Sequence, residues 1–301
     1  MTEERVRSGF AALVGRPNAG KSTLVNALVG TKVAITSDTP QTTRHRLRAV
    51  VDRDDAQIVL VDTPGLHKPV DALGEELNRS SLLALAEVDA ACMVVDSSAP
   101  VGKGDAWVAE RVRASGAPGV LVLTKTDLVP PDAVAAQAER AMALAPFERV
   151  VNLSALTGEN LEGFVAAVSE LLPVGPRYFP RDMPTDQPLE VMLAEFVREK
   201  VLLNTREEVP HAVGVALEDL TRDARKGLTA VNAVIYVERE SQKGIVVGAG
   251  GEMIKRIGTD ARTDLERLLG ERVYLDLRVK VRKDWRRDAS QVRRFGYGEG
   301  L

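Results

Sequence analysis

The first 170 residues alternate short apolar runs with amphipathic stretches. Phe10–Val14, Ile58–Val61, Ala90–Val95, Val120–Leu123 and Val150–Leu153 are compact runs rich in Val, Ile and Leu. Unbroken apolarity over so short a length fits strands buried on both faces, as in a largely parallel sheet covered by helices. Between these runs, the spacing predicts helices over Lys21–Val29, stopped by Gly30, over Ala133–Leu144, and over Leu161–Leu171 before Pro173. Arg46–Val51 and Gln57–Val61 flank the polar stretch 52–56, which predicts a hairpin adding one antiparallel strand. The pattern is that of a doubly wound α/β domain over residues 1–173.

The rhythm then breaks. Pro173, Gly175, Pro176, Pro180, Pro184 and Pro188 crowd one stretch, and residues 174–188 read as a linker. Beyond it, over 189–301, Glu190–Leu203 and Ile254–Leu269 have helical spacing, while Val213–Leu217, Ala230–Val237 and Val273–Val281 read as strands. That order belongs to a smaller α+β domain.

Composition narrows the field. The chain has 301 residues, enough for two domains, and its net charge of −3 gives no global positive field. A nucleic-acid surface would have to be a local patch, and the basic segment Arg278–Arg294 is one candidate. Cys92, the single cysteine, sits in an apolar run and reads as a core thiol. His45, His67 and His211 lack metal-ligand spacing. No signal-like N-terminus and no run near ~20 apolar residues is present, so the expected compartment is the cytoplasm, with peripheral membrane contact left open.

Candidate chemistry begins where the first strand meets the first helix. Gly15-Arg16-Pro17-Asn18-Ala19-Gly20-Lys21-Ser22 satisfies the phosphate-loop pattern, followed by Thr23. Glycines let successive backbone N–H groups face phosphate oxygens, and the helix N-terminus adds positive potential. Lys21 would reach the β- and γ-phosphates and Ser22 would ligate Mg²⁺. Asp62-Thr63-Pro64-Gly65 ends the next parallel strand, where Asp62 would hold Mg²⁺ through water and the Gly65 amide would touch the γ-phosphate.

Thr124-Lys125-Thr126-Asp127 follows a further strand. An aspartate there accepts from guanine N1–H and N2–H₂, a donor pair that adenine lacks, which argues against a metabolic ATP-dependent kinase. The Lys125 stem would lie along the purine face, and Ser154-Ala155 would offer an amide to guanine O6.

Taken in order, these motifs resemble the translation-factor-related class of regulatory GTPases. Thr124 stands where that class usually has asparagine, a change that touches a loop-anchoring contact and spares the specificity carboxylate. In Gln41-Thr-Thr-Arg-His45, the expected first switch, Thr43 is the chosen Mg²⁺ ligand and Thr42 the alternative. Leu66 occupies the place of the water-orienting glutamine of small GTPases. In GTPases with this phosphate loop the asparagine often helps hold K⁺, so Asn18 has two readings, cation site or turn residue. Asn18, Lys21, Thr43 and Gly65 therefore carry the catalytic expectation.

In the second half, Gly248-Ala249-Gly250-Gly251 precedes an amphipathic helix. A G-x-x-G turn between helices is the backbone clamp of KH domains, and the element order fits the bacterial, type II form. With Pro40-Gln-Thr-Thr-Arg-His-Arg, Asp62-Thr-Pro-Gly-Leu-His, Arg206-Glu-Glu-Val-Pro-His and Ile254-Lys-Arg-Ile-Gly, nearly the whole chain resembles the Era family of bacterial GTPases. The resemblance implies GTP/GDP switching by a monomer, binding near the 3′ end of 16S rRNA and a role in maturing the 30S subunit. It also implies peripheral association with the inner face of the membrane. The alternative is a membrane- or cell-cycle-linked switch whose RNA binding is incidental. Ala249 replaces the family's clamp lysine, removing one phosphate contact that Lys243, Lys255 or Arg256 would offset. For those basic residues a solvated helix face is the competing reading. Trp285 would stack on a base or pack inward.

Overall fold

The computed structural model describes residues 5–297. Its N-terminal half runs β1 (Val6–Gly15), α1 (Lys21–Val29), β2 (Leu47–Asp52), β3 (Ala56–Asp62), α2 (Ala72–Ala86), β4 (Ala90–Asp96) and α3 (Lys103–Ser115). It continues through β5 (Gly119–Thr124), α4 (Pro131–Met142), β6 (Arg149–Asn152) and α5 (Leu161–Ser169) to the two-residue β7 (Val174–Gly175). The sheet order is β2-β3-β1-β4-β5-β6, with β7 also paired to β1. Strands β3, β1, β4, β5 and β6 are parallel, and β2 is antiparallel to β3, as its hairpin requires. The interior strands β3 and β5 are buried at every position, the consequence of helices on both faces. Cys92 lies fully buried in β4, where burial pushes its thiol up to about 12.

The stretch expected as a linker is bonded to this sheet. β7 pairs antiparallel with β1, the Val50 amide donates to the Pro184 carbonyl at 2.9 Å, and the Thr185 hydroxyl donates to the Arg48 carbonyl at 2.6 Å. Prolines lack the donor that continues a sheet, so the strap covers the β2 edge without offering a new one.

The C-terminal half comprises α6 (Leu189–Asn204), α7 (Val209–Ala212), β8 (Gly214–Asp223), β9 (Leu228–Val237), α8 (Glu240–Val247), α9 (Glu252–Leu269), β10 (Arg272–Val281) and α10 (Ala289–Arg294). Its sheet runs β10-β9-β8, with β9 and β10 parallel and β8 antiparallel. Among the described residues no helix is long and apolar enough to cross a membrane.

The two halves share one hydrophobic cluster, which includes Leu24 and Ile35 from the first and Val197 and Val201 from the second. A smaller cluster joins Leu73 and Leu77 of α2 to Trp285, Val292 and Tyr297. Trp285 therefore packs inward, correcting the base-stacking reading. It is fully buried, and its Nε1–H donates to the Ala212 carbonyl at 2.9 Å. The basic strand end is partly neutralised as well, since Lys280 and Arg278 both face Glu218.

Candidate functional site

The end of β1 turns sharply into α1. Asn18 and Gly20 adopt left-handed backbone angles (φ 63° and 88°), curling the chain around the space in front of the helix. Lys21 is buried beneath this loop, its ammonium donating to the carbonyls of Gly15 (3.3 Å) and Arg16 (3.0 Å). Burial lowers its pKa to about 8 against the opposing charge of Asp62. The loop and the first switch segment enclose a cavity of about 360 Å³, bounded by Lys21, Ser22, Thr36, Thr43, Gly65 and Lys125, with Leu203 of α6 on its wall.

Three oxygens meet at one end of this cavity. Ser22 Oγ lies 2.6 Å from Asp62 Oδ2 and 2.8 Å from Thr43 Oγ1. Asp62 Oδ1 is buried without a hydrogen-bond partner among the described residues, and burial raises the carboxyl pKa to about 6. A buried carboxylate with an orphaned oxygen, beside two hydroxyls, is a donor set of the all-oxygen kind that Mg²⁺ prefers. Thr42 points elsewhere: its hydroxyl bonds the Thr39 carbonyl (2.5 Å) and Ser37 (2.6 Å). The geometry thus separates the two threonines, with Thr43 at the oxygen cluster.

The loop after β3 packs directly on the phosphate loop. A Cβ on Gly65 would stand 2.7 Å from the backbone N and Cα of Pro17, so only glycine permits this approach. The Leu66 amide donates to the Gly15 carbonyl at 3.0 Å while its side chain is buried. At the mouth, Gln41 Nε2 and His67 Nε2 lie 2.8 Å apart, and His67 Nδ1 lies 2.9 Å from the Gly65 carbonyl. A proton on Nδ1 satisfies both contacts, with Nε2 accepting from Gln41. Both residues lie in segments quoted from the sequence, Gln41 in the expected first switch and His67 at the end of Asp62-Thr-Pro-Gly-Leu-His, but their pairing across the two loops was not foreseen.

Thr124, Lys125 and Asp127 stand at the C-terminal end of β5. The Thr124 hydroxyl lies 2.7 Å from the Ala19 carbonyl and 3.2 Å from that of Val95, so threonine itself ties this loop to the phosphate loop. Lys125 has φ 58° and pairs with Asp96 at 2.6 Å, holding its stem across the loop. Asp127 Oδ1 accepts from the Ser154 hydroxyl at 2.6 Å. The Ser154 amide already donates to the Glu159 carbonyl (3.2 Å). Ser154 instead orients the carboxylate. Asn18 Nδ2 donates to the Asp38 carbonyl at 2.6 Å, joining phosphate loop to switch.

In the second half, Gly248 (φ 74°), Gly250 (φ 58°) and Gly251 (φ 83°) form the turn between α8 and α9. A Cβ on Gly248 would lie 2.7 Å from that of Met253, so the turn is closed by glycine alone. Ala249 and Gly250 are exposed at its tip. An open groove of about 420 Å³ runs beside α9 and β10, lined by Ile254, Lys255, Thr259, Arg262, Tyr274 and Leu277. Lys255 faces this groove. Arg256, about 100° further round the helix, lines a different cavity with Lys200 and Asp260. Lys243 lies half-buried on α8. Arg262 and the exposed Tyr274 are groove residues that sequence reasoning missed, because neither falls inside the glycine pattern.

Fold and site together define a P-loop GTPase carrying a C-terminal KH domain. The family described as "50S ribosome-binding GTPase" matches residues 10–125, and the "KH domain" family matches 208–286. Curated GTPase Era proteins align over nearly the full length. The one from Mycobacterium sp. (strain JLS) is 48% identical over 97% of this chain and 99% of its own, and that of Mycobacterium avium (strain 104) is 48% identical over 99% and 100%. An Era variant from Aquifex aeolicus bound to GDP.AlF4- superposes with TM-score 0.93 and 37% identity, covering 98% of this chain and 100% of that one. An Era complex with MgGDPNP and nucleotides 1506–1542 of 16S ribosomal RNA superposes with TM-score 0.94 at the same identity and coverage. The chain belongs to the Era family of GTPases.

Proposed function

We propose that this GTPase binds 16S rRNA near its 3′ end in its GTP state and acts as a monomer in the cytoplasm on maturation of the 30S subunit. The observation carrying the reading is one chain that joins a cavity at the phosphate loop to an exposed glycine clamp with a lined groove. The solved Era complex that holds both MgGDPNP and a 16S fragment matches the chain across both halves.

In this reading Lys21 exchanges its carbonyl partners for the β- and γ-phosphates. Ser22 and Thr43 would hold Mg²⁺ directly and Asp62 would hold it through water, and the ion, when bound, would supply neutralising charge to the phosphates. The Gly65 amide contacts the γ-phosphate, so the loop after β3 is released when that phosphate leaves. Asp127, braced by Ser154, selects guanine, with Lys125 over the purine face and the Ala155 amide at O6. The remaining loop residues Arg16, Pro17, Ala19, Thr23, Thr63 and Pro64 shape the backbone cradle. Asn18, set against the Asp38 carbonyl, brings an amide and a carbonyl to the phosphate end, where K⁺ would add positive charge to the transition state. Gly248–Gly251 hold the RNA backbone, with Lys255 in the groove and Lys243 behind the clamp, while Arg256 contributes from the adjoining face.

The test is the GTPase rate of the full chain, with and without a 16S 3′-end oligonucleotide, in matched K⁺ and Na⁺ buffers. Stimulation by the oligonucleotide and by K⁺ is expected. Equal rates in the two salts would remove the cation, and absence of RNA binding with a GTP analogue would leave the incidental-RNA alternative.

A further inference from the structure

Thr43 is the one switch residue at the oxygen cluster, and both its neighbours are held by the C-terminal half. On one side, the Arg198 guanidinium of α6 donates to the Thr42 carbonyl from a fully buried position. Its fork is fixed by Glu195, with Nε to Oε1 at 2.8 Å and Nη2 to Oε2 at 2.7 Å. On the other side, the buried Arg44 side chain crosses into the C-terminal half. It donates to the carbonyls of Val213 (2.5 Å) and His211 (3.1 Å), and lies over the rings of Tyr297 (5.3 Å) and Trp285 (5.6 Å). His45 follows, its ring tilted at 58° to that of Tyr297 with centroids 5.0 Å apart, and 3.8 Å from Glu195. The hydroxyl between these anchors reaches Ser22 at 2.8 Å.

The arrangement carries a cost that a purely cohesive contact would avoid. Arg198 Nη1 and Arg44 Nε are buried without hydrogen-bond partners among the described residues. Two like-charged guanidiniums share the site, and burial with the nearby Arg198 charge lowers the Arg44 pKa to about 10. An apolar seam would join the domains without leaving charged donors unsatisfied. What the guanidiniums supply instead is direction: each fixes main-chain atoms adjacent to Thr43.

Resting on the reading of Thr43 as the Mg²⁺ ligand of the GTP state, we propose that Arg198 and Arg44 are positioning residues of the GTPase site. Arg198 supplied by α6 and Arg44 anchored on the Val213 and His211 carbonyls hold the Thr43 hydroxyl at the metal position. The C-terminal half is in this sense part of the GTP site, and its displacement releases the metal ligand while leaving the phosphate loop and Asp127 intact. GTP with Mg²⁺, which needs Thr43, depends on the two arginines. GDP, gripped by the loop and the base site, does not.

The experiment uses the full-length protein and variants Arg198→Gln, Arg198→Lys, Arg44→Lys and Thr43→Ala. Affinity for GDP and for a non-hydrolysable GTP analogue is measured, together with the Mg²⁺ concentration giving half-maximal GTPase rate. Losing one charge-assisted hydrogen bond predicts that Arg198→Gln weakens the analogue and raises the Mg²⁺ requirement about tenfold. GDP affinity should stay within about twofold over the same change. Arg44→Lys should move both quantities the same way. Arg198→Lys should restore part of the loss, and Arg198→Gln added to Thr43→Ala should do no further harm. Equal losses for GDP and the analogue in Arg198→Gln, beside a selective Thr43→Ala, would reduce the arginine to a structural role and overturn the proposal. An unselective Thr43→Ala would overturn the metal-ligand reading itself. Should Arg198→Gln not fold, Glu195→Gln, which loosens the same fork, must show the selective pattern at about threefold, and its absence overturns the proposal equally.

Discussion

The two binding regions of this chain are built on opposite terms. In the nucleotide pocket nearly every polar side chain is committed in advance: Lys21 to two carbonyls, Ser22 to Asp62, Thr124 to Ala19, Asp127 to Ser154. In the clamp the tip residues Ala249 and Gly250 stand exposed, with open space around Gly250 and Gly251. The first is a preorganised site in which donors and acceptors are aimed before the ligand arrives. The second offers backbone approach, one groove and a few charges. Selectivity therefore resides in the pocket, while affinity for RNA is set by shape and electrostatics and is open to adjustment one side chain at a time.

The sharpest way to break the pocket side of this contrast is Gly65→Ala. The new Cβ cannot coexist with Pro17 at 2.7 Å, so the loop must withdraw, and in the proposed reading this carries its amide away from the γ-phosphate. Loss of one such donor predicts a fall in single-turnover GTP hydrolysis on the order of 10²-fold. GDP affinity measured by titration should hold within about twofold, because GDP has no γ-phosphate to lose. Equal loss of both would mean that the substitution had collapsed the phosphate loop itself.

On the clamp side, a smaller effect sharpens the contrast. Ala249→Lys restores a cation at the exposed tip and adds one phosphate contact. The slope of log affinity against log salt for a single-stranded RNA should steepen by about 0.7. An unchanged slope would place position 249 away from the RNA backbone. Hydrolysis without RNA should not change in this variant, since among the described residues no hydrogen bond or ion pair links the turn to the pocket.

The same contrast governs what could be read from the sequence. Buried runs announced the strands, and motifs at strand ends placed Lys21, Ser22, Asp62 and Asp127, because a phosphate loop and a guanine carboxylate need fixed residue types at fixed spacing. Helix α2 was harder, since its buried face includes Asn78, Ser80 and Ser81, polar residues that blur the helical period. Helix α3 hides its start in Gly102, whose amide donates to Asp105 at 2.9 Å without a conventional capping side chain. The proline-rich strap was legible as irregular chain but not as one bonded to β1 and β2, a pairing set by tertiary position. In the KH half, the glycines marked the turn, yet which face of α9 turned to the groove decided between Lys255, Arg256 and Arg262. The docking of Arg44 and Arg198 around Thr43 joins residues far apart in the chain, and no local pattern records it.

In the proposed function, nucleotide choice rests most directly on the Asp127 carboxylate as the reader of guanine. Competition binding with GTP and excess ATP, on the native chain and on Asp127→Asn, tests it. The native protein should keep GTP against ATP, and the variant should lose GTP affinity by a factor on the order of 10² or more, the cost of replacing a paired carboxylate in the site. ATP displacing GTP from the native protein, or undiminished GTP affinity in Asp127→Asn, would contradict it.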